Sequence, residues 1–336
     1  MVITIPAPAQ RSQGQRPEGP RPINLNKDVP QVIQLLELVF GHKLGGSGQH
    51  LFSGEAGFTQ PAFLWRLKPM SNKLALGYVW EEDGRIVGNA TLLATRQKSR
   101  FLVVNVAVHP DYRRRGIARG LMQALIELTQ AKQGREILLQ VVKGNEAAVS
   151  LYADLRFQTL GHMTTWHNNV ARLRDIESSI SDYHPAQRIR ELPRNWWKTA
   201  YQLDTRALPL DLNWPEPLPR DAYKLNFWRR MDNFLNGRHA EVWATTNEAN
   251  QLTGLAGIWS EWGRPHQITL RIHPAWQGQL ERPLLAKTIR RLRYLPRRSI
   301  RLEHPDDDKL TNELLREANF QPRRTLTHMR LDINTK

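Results

Sequence analysis

The sequence predicts an α/β (α+β) chain of two tandem domains, each a mixed, mostly antiparallel sheet flanked by helices. Three observations carry this expectation. Strand-type runs follow one another between residues 74 and 108, joined by short turns. The apolar period then switches to helical spacing at Ile117. Short strings from this first half return in the same order in the second half, as an internal duplication would leave them.

Taken in order, Ile23 to Leu25 reads as a short strand, and Asp28-Val29-Pro30 opens a helix through Phe40, with Val32, Leu35, Leu36 and Val39 on one face. A Gly-rich stretch, Gly41 to Gly57, interrupts regular structure; long loops of this kind inside a domain are usually functional or disordered. Leu74 to Trp80, Ile86 to Ala94 and Phe101 to Val108 form a meander, the first two joined by Glu82-Asp83-Gly84. Ile117 to Gln130 is a helix with Leu121, Leu125 and Leu128 inward, Glu136 to Val142 a buried strand, Glu146 to Leu155 a helix, and Phe157 to Trp166 a strand.

The second half restarts with Arg188 to Arg190 as strand, Asn195 to Leu203 as helix and a Pro-rich loop from Leu208 to Pro219. Val108-His109-Pro110-Asp111-Tyr112 is answered by Ile272-His273-Pro274-Ala275-Trp276, Leu121-Met122 by Leu285-Ala286, and Leu155-Arg156-Phe157 by Ala318-Asn319-Phe320. His162-Met163-Thr164 is matched to His328-Met329-Arg330. The expected organisation is a disordered tail over 1–21, a first domain over 22–168, and a second over 184–336, with the boundary in the polar stretch Asn168 to Tyr183.

Composition narrows the function. The 336 residues, 40% of them hydrophobic, suffice for two domains of ordinary size. The absence of cysteine excludes disulfides, thiolate zinc sites and cysteine nucleophiles, and suits a reducing cytoplasm. Met1 to Gln10 has neither a basic start nor an apolar run, so no secretory signal or membrane span is expected and the protein should be cytoplasmic. Lysine and arginine number 48 against 32 acidic residues, a formal charge of +16 that favours an anionic partner: nucleic acid, an acidic protein or a polyphosphate cofactor. Arg290, Arg291, Arg293, Arg297, Arg298 and Arg301 carry much of the excess, as a solvated face or a binding patch. The scattered histidines lack ligand spacing, and no metal is expected.

The most informative string runs from Val106 to Leu121. A strand ends at Pro110, a basic loop follows, and Gly116, Ala118 and Gly120 fall in the first helical turn. Unpaired amides and the helix dipole at such a start bind pyrophosphate, small residues let it approach, and arginines add bidentate donors. Alone, a basic glycine loop is a weak signal. No Walker Gly-Lys-Ser/Thr ending and no Gly-x-Gly-x-x-Gly after a first strand accompany it, which disfavours ATP and NAD.

These residues resemble the GNAT superfamily of N-acetyltransferases. Its Arg/Gln-x-x-Gly-x-Gly/Ala signature is met by Arg113, Gly116 and Ala118, and its second block by Asn145, Ala148, Leu151, Tyr152 and Phe157. Arg156 stands where the family has glycine, and Asp83 to Gly88 is similar to the family's hairpin. The resemblance covers residues 22–167. It implies that the main chain of Val106, Ala107 and Val108 pairs with the pantetheine arm. It likewise implies that Arg113, Arg114, Arg115, Gly116, Ile117, Ala118 and Arg119 surround the pyrophosphate, that Asn145 contacts the cofactor, acetyl-CoA, and that Tyr152 protonates the leaving thiolate. Packing of the Tyr152 ring in the core is the competing reading. The general base is not assignable: Glu81 and Glu82 are expected to be exposed on the hairpin, His109 to pack at the strand end, His162 and His167 to be structural, and Asn105 cannot act as a base.

In the second copy the loop reads Gln277-Gly278-Gln279-Leu280-Glu281-Arg282-Pro283, with Leu280 for Gly116, Glu281 for Ile117 and Arg282 for Ala118; Leu315 stands for Tyr152. That copy is expected to keep the fold and to have lost the cofactor, as in tandem GNAT proteins with one degenerate copy. The expected activity is transfer of an acetyl or short acyl group to a primary amine by direct attack in a ternary complex, in a monomer or homodimer. The alternative is a non-catalytic module docking on RNA or an anionic protein through Trp196, Trp197, Trp228, Arg229 and Arg230.

Overall fold

The computed structural model describes residues 19–41, 75–177, 189–214, 216–224, 231, 233 and 235–333. The tail up to residue 18, the Gly-rich stretch beyond Gly41, and Trp228, Arg229 and Arg230 lie outside the described residues. The chain divides into two compact units, Met1–Ala94 with Val103–Gln133, and Thr95–Leu102 with Gly134–Lys336.

The first unit contains β1 (Pro20–Pro22), α1 (Val29–Phe40), β2 (Ala75–Glu82), β3 (Arg85–Ala94), most of β4 (Arg100–Val108) and α2 (Ile117–Ala131), with strand order β1-β2-β3-β4. The first strand lies at Pro20–Pro22 instead of Ile23 to Leu25: Pro22 pairs with Tyr78, Ile23 N–H donates the last rung to Gly77 C=O (3.0 Å), and the chain turns at Asn24. Prolines lack a donor, and an edge strand tolerates that. Pro30 stands in the first turn of α1, where its missing N–H costs no helical bond. The helix buries Val32, Leu35 and Leu36 against Val79, Ile86 and Ala107. The β2–β3 hairpin turns through Asp83 (φ 49°) and Gly84 (φ 76°). Its Glu81 and Glu82, expected to be exposed, are half-buried and ion-paired, Glu81 with Arg21 (2.6 Å) and Glu82 with Arg115 (3.6 Å). Guanidiniums that the fold brings to the hairpin draw both carboxylates in.

Two glycines let α2 settle on this sheet. A Cβ on Gly120 would meet the Trp80 ring at 2.8 Å, and one on Gly88 would meet Ile117 Cγ2 at 2.7 Å and Leu121 Cδ1 at 3.0 Å. Gly120 therefore serves helix-on-sheet packing, not access of a phosphate as its place in the loop string suggested.

The second unit contains β5 (Glu136–Val142), α3 (Glu146–Asp154), β6 (Gln158–Asn169), β7 (Arg190–Glu191), α4 (Trp197–Ala207), β8 (Arg238–Thr246), β9 (Leu252–Glu261), β10 (His266–Ile272), α5 (Glu281–Leu292), β11 (Ser299–Pro305), α6 (Lys309–Glu317) and β12 (Gln321–Asp332). Its strand order is β5-β12-β6-β11-β10-β9-β8-β7. The repeats thus exchange their last strands: β12 pairs with β5 of the first copy, and β6 pairs with β11 of the second. At the centre β6 and β12 run antiparallel with Met163 opposite Leu326. The pairs Thr159↔Met329 and Gly161↔His328 have their images in Trp166↔Pro322 and Thr165↔Arg324, so the ladder maps onto itself when the strands are interchanged. Lys143 N–H donates to Thr325 C=O (2.9 Å), and its image is Asp306 N–H to His162 C=O (3.0 Å).

This symmetry corrects one equivalence. Met163 corresponds to Leu326, and His162 to Thr325; the likeness of His162-Met163-Thr164 to His328-Met329-Arg330 is a likeness of letters, out of structural register. Part of the expected boundary is also core. Val170, Leu173 and Ile176 are buried with Trp166 among Ile258, Leu270, Leu284 and Phe320 of the second copy, because the exchanged β6 delivers the chain into that core. Residues 178–188 lie outside the described residues.

Candidate functional site

The loop after β4 is built from local hydrogen bonds. His109 N–H donates to Val87 C=O (2.8 Å), its Nδ1 accepts from Asp111 N–H (3.3 Å), and its ring meets that of Tyr112 at 5.5 Å, so His109 packs at the strand end as expected. The chain then passes through Arg114 (φ 61°) and Gly116 (φ 80°), both left-handed, and enters α2 without a side-chain cap. The first helical bond is Gly120 N–H to Gly116 C=O (3.0 Å), so the amides of Ile117 and Ala118 precede the ladder. A Cβ at Gly116 would meet nothing within 4 Å, which leaves open space over these donors. The Ile117 side chain is buried, and only its main chain is available to a ligand.

Arg113, Arg114, Arg115 and Arg119 stand exposed around this opening. Arg115 lies over the Tyr112 ring at 4.8 Å. On β4, Val106 and Val108 are half-buried while Ala107 points into the core. Asn105 takes φ 57° in mid-strand, a bulge held by Asn89 Nδ2 donating to Asn105 C=O (2.8 Å). The one trace of this bulge in the sequence is Asn89, a polar residue in a strand that the fold buries wholly. Polyphosphate fits the loop: amides that precede the helical ladder, a left-handed glycine with clearance and a cationic rim favour an anion.

Asn145 and Tyr152 belong to the second unit. Asn145 caps α3 through its carbonyl, which accepts from Val149 N–H (3.0 Å), while its exposed side chain makes no capping bond. Tyr152 is buried, its ring 5.9 Å from that of Phe157, and burial pushes its phenol up to about 12. The oxygen therefore keeps its proton throughout the physiological range. Arg156 takes φ 68° after α3, so the turn that glycine makes in the family is kept by an arginine.

The second copy repeats the scaffold and closes the opening. His273 N–H donates to Thr253 C=O (2.8 Å) and its Nδ1 accepts from Ala275 N–H (3.2 Å). Gly278 is left-handed at φ 85°. Here, however, the Glu281 carboxylate accepts from Gly278 N–H (2.8 Å) and Leu280 N–H (3.1 Å), and Glu281 is only 2% exposed. The chain's own carboxylate takes the donors that a phosphate would need. Buried Leu315 stands where Tyr152 stood; the following turns match, with Asn319 at φ 67° and Phe320 N–H donating to Leu315 C=O (2.8 Å) as Phe157 N–H does to Tyr152 C=O (2.9 Å).

His162 bonds Thr327 Oγ1 through Nδ1 (2.9 Å), which fits its structural reading, and His167 also has a partner. Trp196 packs with the α4 core under Arg190, and Trp197 is flanked by Lys198 and Lys224. Among the described residues no cluster could hold a metal, and no helix is long and apolar enough to cross a membrane.

A strand, a turn and a helix are thus laid down twice, the first turn basic with open amides and the second filled by Glu281. Residues 50–157, about a third of the chain, match the Acetyltransferase (GNAT) family. Over 99 residues it is 28% identical to the [ribosomal protein bS18]-alanine N-acetyltransferase of Escherichia coli, covering 29% of this chain and 66% of that protein. A peptidyl-lysine N-acetyltransferase of the same organism is 29% identical over 99 residues, 27% of this chain and 61% of its own. The chain therefore spans about two thirds of the length of these relatives. Among solved structures, a GCN5-related N-acetyltransferase from Sphaerobacter thermophilus aligns with TM-score 0.58 and 14% identity over 95% of this chain and 97% of its own. A tandem GNAT protein from the clavulanic acid biosynthesis pathway aligns with TM-score 0.50 and 17% identity over 93% and 98%. These likenesses establish a tandem GNAT fold, the class expected from the sequence.

Proposed function

We propose that this protein is an N-acyltransferase that moves an acetyl or short acyl group from acyl-CoA to a primary amine by direct attack in a ternary complex. The observation that carries the reading is the contrast between two equivalent turns, open at Gly116 and closed by Glu281. In this reading residues 22–168 form the working domain and residues 184–336 the degenerate one. The amides and guanidiniums from Arg113 through Gly116, Ile117, Ala118 and Arg119 hold the diphosphate. The main chain of Val106, Ala107 and Val108 orients the pantetheine arm, and Asn145 adds a polar contact. Bound acyl-CoA would supply an activated thioester; as the neutral amine forms its C–N bond and the C–S bond breaks, Tyr152 Oη would give its proton to the departing sulfur, and the proton shed by the amine nitrogen would pass through solvent and restore the phenol.

The experiment is a panel of acyl-CoA donors and amines assayed for thiol release with the full chain. It includes an alanine peptide with a free amine and a lysine peptide, because relatives are named as alanine and peptidyl-lysine N-acetyltransferases. Tyr152→Phe should lower kcat about 100-fold or more, the scale of general-acid catalysis, with unchanged affinity for acetyl-CoA. Unchanged turnover removes the general acid; absence of both turnover and an acetyl-CoA-dependent rise in Tm removes the enzyme and leaves a binding module.

A further inference from the structure

We propose that the end of the second repeat formed by the β9–β10 hairpin and the α5–β11 loop is a docking surface for single-stranded nucleic acid. Trp262 at the hairpin tip is 80% exposed and Tyr294 after α5 is 82% exposed, the two most exposed large apolar side chains among the described residues. Rings of this size normally bury most of their area, and leaving two in water costs free energy that folding would otherwise gain. The two loops adjoin: the His266 ring and Pro296 C=O meet at 2.9 Å, and Arg298 donates to Glu261 C=O at 2.7 Å.

The charge beside the rings is one-sided. Arg238 and Arg264 both reach the Glu261 carboxylate, at 3.6 and 3.2 Å, and Arg298 and exposed Arg297 complete the group. Among the described residues, Arg238 and Arg264 share the Glu261 carboxylate and Arg298 holds its main-chain carbonyl. Farther back, Arg291 is matched by Glu241 and Arg293 by Asp175, so the excess lies at the tip with the aromatic rings. Rings that project from a surface offer faces on which bases stack, and arginines beside them bind phosphates bidentately or stack themselves. An acidic protein segment would use the charges but would gain little from two exposed ring faces, which stack on bases. The overall charge of +16 supplies attraction over distance. This surface is independent of the acyl-transfer reading.

The test is fluorescence anisotropy of labelled oligo-uridylate and oligo-thymidylate with the full chain across a salt series, with polyglutamate as competitor. Affinity should fall steeply with salt. The double variant Trp262→Ser/Tyr294→Ser keeps every charge and should weaken binding about tenfold or more, the scale of losing base stacking. Arg264→Gln/Arg297→Gln should lower the salt slope. An unchanged Tm in each variant shows that the fold is intact. The proposal fails if the wild-type chain binds neither oligonucleotide, if the aromatic double variant binds as well as wild type, or if polyglutamate binds more tightly than either oligonucleotide with the same dependence on the rings.

Discussion

Gly116 combines a left-handed backbone with empty space around its Cβ direction, so any side chain there would be strained and would stand over the amides of α2. A β-branched residue in that conformation costs roughly 1–2 kcal/mol. Gly116→Val should therefore lower Tm modestly and abolish the stabilisation by acetyl-CoA; a full thermal shift in the variant would show that the diphosphate binds elsewhere. The sequence exposed this position clearly, because a glycine three residues after Arg113 and two before Ala118 has few other uses. The sequence also showed Glu281 as a negative charge in the second copy's loop, but not that its carboxylate bends back onto Gly278 and Leu280: a glutamate at a helix start looks the same in sequence whether it faces a ligand or fills a nest.

At the scale of elements, α2 reaches the sheet only because Gly88 and Gly120 leave room for Ile117, Leu121 and Trp80. A methyl at Gly88 is enclosed on three sides, and overpacking of that kind costs about 1–3 kcal/mol. Gly88→Ala should lower the unfolding free energy by that amount in denaturant titration and weaken acetyl-CoA binding by moving Ile117; an unaltered midpoint would mean that the helix gives way freely. On β12, burial chiefly, with the charge of His162, lowers His328 to about 4. The Gln140 amide nitrogen stands 2.9 Å from its Nε2, and because an amide NH2 only donates, the neutral ring accepts there. The unfolded chain takes up this proton near pH 6.5, the folded chain only near pH 4, so stability is complete above about pH 6.5 and declines between about 6.5 and 4. His328→Gln should flatten that part of the stability profile, as unfolding measured across pH would reveal; a slope unchanged by the variant would assign it to another group.

At the scale of the molecule, the exchange of β6 and β12 makes each repeat depend on the other. Without β12, β5 and β6 each lose a full ladder, and without β6 so does β11. Backbone groups buried without partners cost about 1–3 kcal/mol each, far more in sum than a domain's net stability. The fragment 1–183 should therefore be insoluble or lack cooperative unfolding, while adding residues 184–336 as a separate chain should restore both. A monomeric, cooperatively melting 1–183 would show that the ladder is dispensable.

Most strands and helices, the duplication and the basic turn before α2 were determined by the sequence itself, because each depends on contacts a few residues apart: apolar period, a proline at a helix start, a glycine at a left-handed position. Arg156 shows the limit of such reading, since its left-handed turn is held by the Phe157 N–H to Tyr152 C=O bond and not by residue type. The partner of each final strand, the burial of Val170, Leu173 and Ile176, the bulge at Asn105 and the closing of the second nest by Glu281 were decided only in three dimensions. Two similar repeats offer each last strand two similar edges, and nothing local distinguishes them; the choice is made by the packing of residues far apart along the chain.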